Sequence, residues 1–131
     1  MCIRDRLNLG HTFAHALETE TGYNDTLLHG EAVAIGMVMA FDLSVRLGLC
    51  RAREADRVRR HLARVGLPTG TDFAPAVLWN PARLVAHMAK DKKVKGGKLT
   101  FVLTRGIGKA FVTHDVPGDE LRAFMEGAIA A

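Results

Sequence analysis

Asn8, His11, His15, Glu18 and, one loop later, His29 are the residues of this 131-residue chain whose types and spacing can do chemistry. They stand in the strings LNLGHTFAHALE and LHGEAVAIGMVMA. Residues four apart share a helix face, so His11 and His15 project together, with Asn8 and Glu18 about one turn away on either side. Neutral imidazoles presented in this way can hold a divalent metal. A nearby carboxylate such as Glu18 can orient such a ring by accepting its other N–H. Two histidines on one helix are by themselves better explained as partly buried, hydrogen-bonded side chains than as metal ligands. The third, His29, stands at the mouth of the next helix and can fold back beside the first two; on spacing alone, packing and metal binding remain equal readings.

The elements that must position these residues follow from periodicity and from breaker residues. A first helix is expected from about Leu7 to Thr21, ended by Gly22 and the turn-prone GYNDT. A second, about Gly30 to Leu47, is apolar nearly all round (Ala32, Val33, Ile35, Met37, Val38, Phe41, Leu43), which predicts a central buried element closed by Gly48. Glu31 complements its N-terminus. A third, about Arg51 to Val65, places Val58, Leu62 and Val65 on one side and its arginines on the other, with Gly66 and Pro68 as stops. Thr69 to Trp79 shows no clear period. Asn80-Pro81 signals the cap and first turn of a fourth helix running to about Lys90. After the basic loop DKKVKGGK, the segments KLTFVLT and KAFVTHD carry β-propensity and flank the turn RGIG, predicting a hairpin over about 98–114. Asp119 and Glu120 open a last helix whose apolar side is Leu121, Phe124, Met125 and Ile129. The fold class expected is mainly α, multihelical, with one short β-hairpin.

Composition limits the function classes. The chain is 48% hydrophobic and has no apolar run long enough to cross a bilayer, so it reads as one globular domain with no membrane partner. A formal charge of +4 is compatible with anionic small molecules and does not imply nucleic acid. The arginines of the third helix are interrupted by Glu54 and Asp56, with no aromatic residue interleaved, and read as a solvated face. Cys2 and Cys50 have no partner at disulfide or metal-ligand spacing, so a reducing cytoplasm is expected, with Cys50 packed rather than catalytic. His61, His87 and His114 are scattered and receive no role. The opening MCIRDR reads as the in-frame translation of a sequencing adapter joined to a truncated reading frame. Residues 7–131 are then the natural part, expected to be the remainder of a larger protein that has lost its N-terminal portion.

NLGHTFAHALE followed by LHGEAVAIGMVMA resembles the metal-binding region of the 3-dehydroquinate synthase family. The likeness continues through GLP (Gly66 to Pro68), DKKVKGGKLTFVL (Asp91 to Leu103) and RGIGKA (Arg105 to Ala110), so it spans essentially all of 7–131. It implies the mainly helical C-terminal domain of an enzyme of the shikimate pathway, in aromatic amino acid biosynthesis. That enzyme converts 3-deoxy-D-arabino-heptulosonate 7-phosphate to 3-dehydroquinate and phosphate. In that family His11 and His29 match two ligands of a metal, zinc or another divalent ion such as cobalt, the third being a glutamate upstream of this chain. Asn8, His15 and Lys92 match residues around the substrate's phosphate, where amide, imidazole and ammonium groups donate hydrogen bonds; Lys93 is a neighbour. The Lys92, Lys93, Lys95 and Lys98 cluster would otherwise read as a solvated basic loop.

The departures from the family pattern remove no donor or ligand. Ala14 stands where glycine is usual, Leu17 for isoleucine, Lys90 for arginine and Thr104 for proline. Arg4 coincides with a family arginine used for the substrate carboxylate, but it lies in the adapter-like segment and the role is not carried over. No glycine-rich strand-to-helix turn of dinucleotide type occurs, so NAD, the family's cofactor, would be bound mainly by the missing domain and the isolated chain is expected to be inactive. The resemblance implies a full-length enzyme that acts on a small sugar acid phosphate, and a homodimer is the assembly expected for it. Two other readings stay open. One is a fragment of another sugar phosphate cyclase; the other is a non-catalytic helical metal-binding or interaction module.

Overall fold

The structure, a computed structural model, describes residues 9–21, 29–70, 79–92 and 98–130. In chain order these form α1 (His11–Thr21), α2 (His29–Arg46), α3 (Ala52–Arg64), α4 (Pro81–Lys92), β1 (Lys98–Thr104), β2 (Ala110–Pro117) and α5 (Gly118–Ala130). The two strands pair antiparallel, with an irregularity of register between Leu99 and Phe101. The hairpin extends a few residues beyond 114, to Pro117. No described helix is long and apolar enough to cross a membrane.

α2 is the central element. Ala32, Ile35, Met39, Ala40 and Leu43 join a core shared with α1, α4, α5 and the hairpin, while Ala34, Val38 and Phe41 are buried among α3 and the α2–α3 connection. Burial on several faces explains why its sequence lacks a polar stripe. Gly10 sets how closely α1 approaches it. Its φ is +81°, and a Cβ there would lie 2.6 Å from Gly36 C and Met37 N. A Cβ on Gly36 would in turn run into the Gly10 carbonyl. Gly10 abuts Gly36 and Glu18 meets His29, so the two helices run antiparallel with their backbones in contact at one end. Phe13, between the two histidines of α1, anchors the opposite face: its ring lies 5.3 Å from Phe101 and 6.0 Å from Phe124, tilted and edge-on respectively.

Helix ends fall where the chain carries the matching chemistry. α2 and α3 both close in Schellman motifs. Gly48 N–H donates to Val45 O and Leu49 N–H to Ser44 O, while Gly66 N–H donates to Ala63 O and Leu67 N–H to Leu62 O, with both glycines at positive φ. Asn80 caps α4, its Oδ1 accepting from Ala82 N–H at 2.9 Å and Arg83 N–H at 3.3 Å, with Pro81 in the first turn. The hairpin is tied to α2 by Thr104, whose amide donates to Ser44 Oγ at 3.1 Å, which itself donates to Ala40 O. A proline at 104 would lack that amide N–H.

Three expectations are corrected. Val65 does not share the apolar side of α3: it lies just past the helix end, in the turn leading to Gly66, and is 58% exposed, whereas Leu62 is buried. Arg59 is not a freely solvated member of the arginine face. It is half-buried and bonds Asp42 on α2, with Asp56 Oδ1 at 3.5 Å. The basic loop begins later than Asp91, because α4 continues to Lys92; residues 93–97 lie outside the described residues.

Candidate functional site

The antiparallel pairing of α1 and α2 brings four of the sequence-identified residues together. The His11 ring centroid lies 6.3 Å from that of His15 and 6.5 Å from that of His29. His29 Nδ1 is 3.1 Å from Glu18 Oε2, and Glu18 is buried while most of the His29 side chain is exposed. A carboxylate only accepts, so the Nδ1 that faces it is the donor, and in a neutral ring Nε2 then keeps its lone pair, directed away from Glu18. That is the arrangement by which a carboxylate presents a neutral imidazole to an electrophile.

His11 differs. Its Nδ1 is buried and has no hydrogen-bond partner among the described residues. A buried polar atom left so costs about 1–3 kcal/mol until a proton donor, a water or a metal satisfies it. Two imidazoles sharing one tetrahedral zinc have centroids roughly 5 Å apart, so the observed 6.5 Å lies within side-chain adjustment of that separation. That separation is compatible with two positions of a divalent-metal shell, and so is the 6.3 Å between His11 and His15. Among the described residues, no group of three or more His, Cys, Asp or Glu side chains gathers to complete one. His15 is exposed on α1, one turn beyond His11.

Asn8 lies outside the described residues, as do Lys93 and Lys95. Lys92 is the last residue of α4. Arg83, in the first turn of α4, donates to Glu20 Oε1 in the last turn of α1 at 2.8 Å, and Leu84 and Met88 share the core with Phe13 and Leu17. α4 thus runs back along α1, carrying position 92 toward the end at which His11 stands. The Glu20–Arg83 pair was not legible in the chain, since nothing in either local sequence marks a partner more than sixty residues away. The other Glu20 oxygen, Oε2, and His87 Nε2 are buried without partners among the described residues.

Comparison with solved proteins defines the fold class first. Over 94% of this chain and 32% of the other, the fold matches 2-epi-5-epi-valiolone synthase from Streptomyces hygroscopicus, solved with NAD+ and Zn2+ bound, at a TM-score of 0.73 and 29% identity. A 2-deoxy-scyllo-inosose synthase solved with carbaglucose-6-phosphate, NAD+ and Co2+ matches over 92% of this chain and 34% of its own, at a TM-score of 0.75 and 22% identity. The family whose sequence model matches residues 1–94 is described as "3-dehydroquinate synthase C-terminal". The 3-dehydroquinate synthase of Rhodospirillum rubrum is 57% identical over 97% of this chain and 33% of its own length, and that of Ruegeria pomeroyi 54% identical over 98% and 35%. The chain belongs to the 3-dehydroquinate synthase family. It spans about a third of the length of the curated relatives it matches.

Proposed function

We propose that this chain supplies the metal- and phosphate-contacting part of an active site that converts 3-deoxy-D-arabino-heptulosonate 7-phosphate to 3-dehydroquinate and phosphate. It works only when joined to the remaining two-thirds of a full-length family member. The observation that carries the reading is the meeting of His11 and His29 across two antiparallel helices, with His29 held by buried Glu18. His11 and His29 are the proposed metal ligands, for zinc or cobalt, with a third ligand from outside this chain. A divalent ion there would act as a Lewis acid on substrate hydroxyls, and NAD, bound mainly outside this chain, would take up and return the hydride.

The chain's own residues bind and orient. Glu18 keeps the proton on His29 Nδ1 and so keeps Nε2 available. His15, exposed beside His11, donates to the substrate's phosphate together with Asn8 and Lys92. The backward run of α4 along α1 supports the placement of Lys92 near this cluster. The identity of 52–57% to curated 3-dehydroquinate synthases, against 21–29% to the solved synthases of other names, favours this substrate over that of another sugar phosphate cyclase. The free, buried thiol of Cys50 supports a reducing, cytoplasmic setting.

The test is turnover. The 131-residue chain alone forms no product, while a chimera with the N-terminal two-thirds of the Rhodospirillum rubrum relative does. His29→Ala in that chimera lowers kcat/KM by more than about 100-fold. Substantial product from the isolated chain, or an active His29→Ala chimera, overturns the proposal.

A further inference from the structure

The end of α1 remote from His11 carries a charge that the function proposed above does not use. Glu20 stands in the last turn of α1, and its side chain is only 4% exposed. Its Oε1 accepts from Arg83 Nη2 at 2.8 Å, across to the first turn of α4, while its Oε2 is buried without a partner among the described residues. Arg83 is largely exposed, so the guanidinium stays hydrated and the buried carboxylate depends on it. His87 lies one turn further along the same face of α4. Its buried Nε2 also lacks a partner among the described residues and supplies no second tie.

Energetics decide what such a pair can do. A buried carboxylate gives up its water and recovers only part of that cost from one partner. Replacing a pair of this kind by well-packed apolar side chains is therefore often neutral or stabilising, whereas removing one member strands a charge. The pair is weak as a source of stability and strong as a fixing point. A hydrogen bond has a length and a direction, while the burial of Leu84 and Met88 beside Phe13 and Leu17 is non-directional. α4 also gives the pair leverage. Lys92 stands eight residues beyond Leu84, about 12 Å along the helix, so a tilt of about 5° at the Leu84 contact moves the Lys92 end by about 1 Å. A misplacement of that size costs a preorganised site up to about 100-fold.

We propose that Glu20 is a positioning residue for the phosphate contact: held to Arg83, it fixes how α4 lies on α1 and so where Lys92 stands relative to His11 and His15. The inference rests on the phosphate-binding role given to Lys92 above. It goes beyond that reading by assigning the seating of Lys92 to a buried charge at the opposite end of the helix pair.

The double variant Glu20→Met/Arg83→Met removes the pair without stranding a charge. In the 131-residue chain it should resist urea as well as the parent does, while residual dipolar couplings of the α4 amides, set against those of α1 and α2, show α4 tilted by about 5° or more. In the Rhodospirillum rubrum chimera the same variant should raise KM for the phosphorylated substrate about tenfold and change kcat less than about twofold. Arg83→Lys, which keeps a charged donor for Oε1, should match the parent in both tilt and KM. Because Glu20 acts through Lys92, the double variant should add nothing to the effect of Lys92→Ala; full additivity of the two overturns the inference. So does an unchanged tilt, and so does a loss of urea resistance that accounts for the lost activity, which reduces the pair to a structural one. An inactive chimera, or one whose KM is unmoved by Lys92→Ala, defeats the function proposed above while a changed tilt in the chain keeps the seating of α4. An active, Lys92-dependent chimera beside an unchanged tilt does the reverse.

Discussion

Glu18 Oε2 and His29 Nδ1 face each other at 3.1 Å across the α1–α2 pair, the carboxylate buried and the imidazole largely in solvent. The contact fixes a tautomer as well as a position, because only Nδ1–H can donate to it. It follows that Glu18→Ala should release the ring to a mixture of tautomers, whereas Glu18→Gln, which keeps a carbonyl acceptor, should largely retain the Nδ1–H form. Imidazole nitrogen NMR of His29 in the isolated chain distinguishes the two; an unchanged tautomer in the alanine variant would contradict this role.

The Gly10–Gly36 contact should be the least tolerant of substitution. Gly10→Ala meets both a positive φ and backbone atoms at 2.6 Å, a combination expected to cost about 3 kcal/mol or more. Gly48→Ala, at φ +76° with open space around it, should cost only about 1 kcal/mol. Urea unfolding of the two variants measures the contrast, and similar costs would mean that α1 and α2 can separate freely.

Asp42 ties pH to stability in an uncommon direction for an ion-paired carboxylate. Burial opposes its ionisation more than Arg59 favours it, with Asp56 adding to the effect of burial, so its pKa is raised above the ordinary 3.8. A carboxyl whose native pKa is raised binds its proton more tightly folded than unfolded. Its contribution is therefore fully present below the unfolded pKa and is lost as pH rises through the native value. Relative to Asp42→Asn, the parent chain should lose urea resistance as pH climbs from the unfolded carboxylate range toward neutrality. A difference that is flat with pH, or that grows in the parent's favour, would refute the assignment.

Cys50 is predicted to be a poor nucleophile. Burial pushes its thiol up from the ordinary value, and the Glu54 carboxylate adds to the shift. Because the thiolate is the reactive form, iodoacetamide should label Cys50 much more slowly in the native chain than in urea, as read by mass spectrometry of its peptide. Equal rates would show the thiol to be open and ionised.

Much of the architecture was legible because it is written locally. The all-round apolar character of α2, the Asn80-Pro81 start of α4 and the glycines after α2 and α3 each act within a turn of themselves, and the elements end within a few residues of where those signals place them. Val65 failed because a periodic pattern does not say that the helix stops one residue earlier. Arg59 was misread because its partner, Asp42, comes from another helix, whereas Arg53, Arg57, Arg60 and Arg64 are exposed as expected. The cluster of histidines was visible, and so was a carboxylate able to orient one of them. The 6.5 Å meeting of His11 with His29 follows from the Gly10–Gly36 contact, which spacing along the chain does not reveal.

Visible absorption of Co2+ bound to the chimera with the Rhodospirillum rubrum N-terminal part tests most directly whether His11 and His29 share a metal. One equivalent of cobalt should give a tetrahedral or five-coordinate spectrum that His11→Ala and His29→Ala each abolish, while His15→Ala retains it and raises KM for the phosphorylated substrate. Survival of the spectrum in either of the first two variants, or its loss in His15→Ala alone, would contradict the assignment.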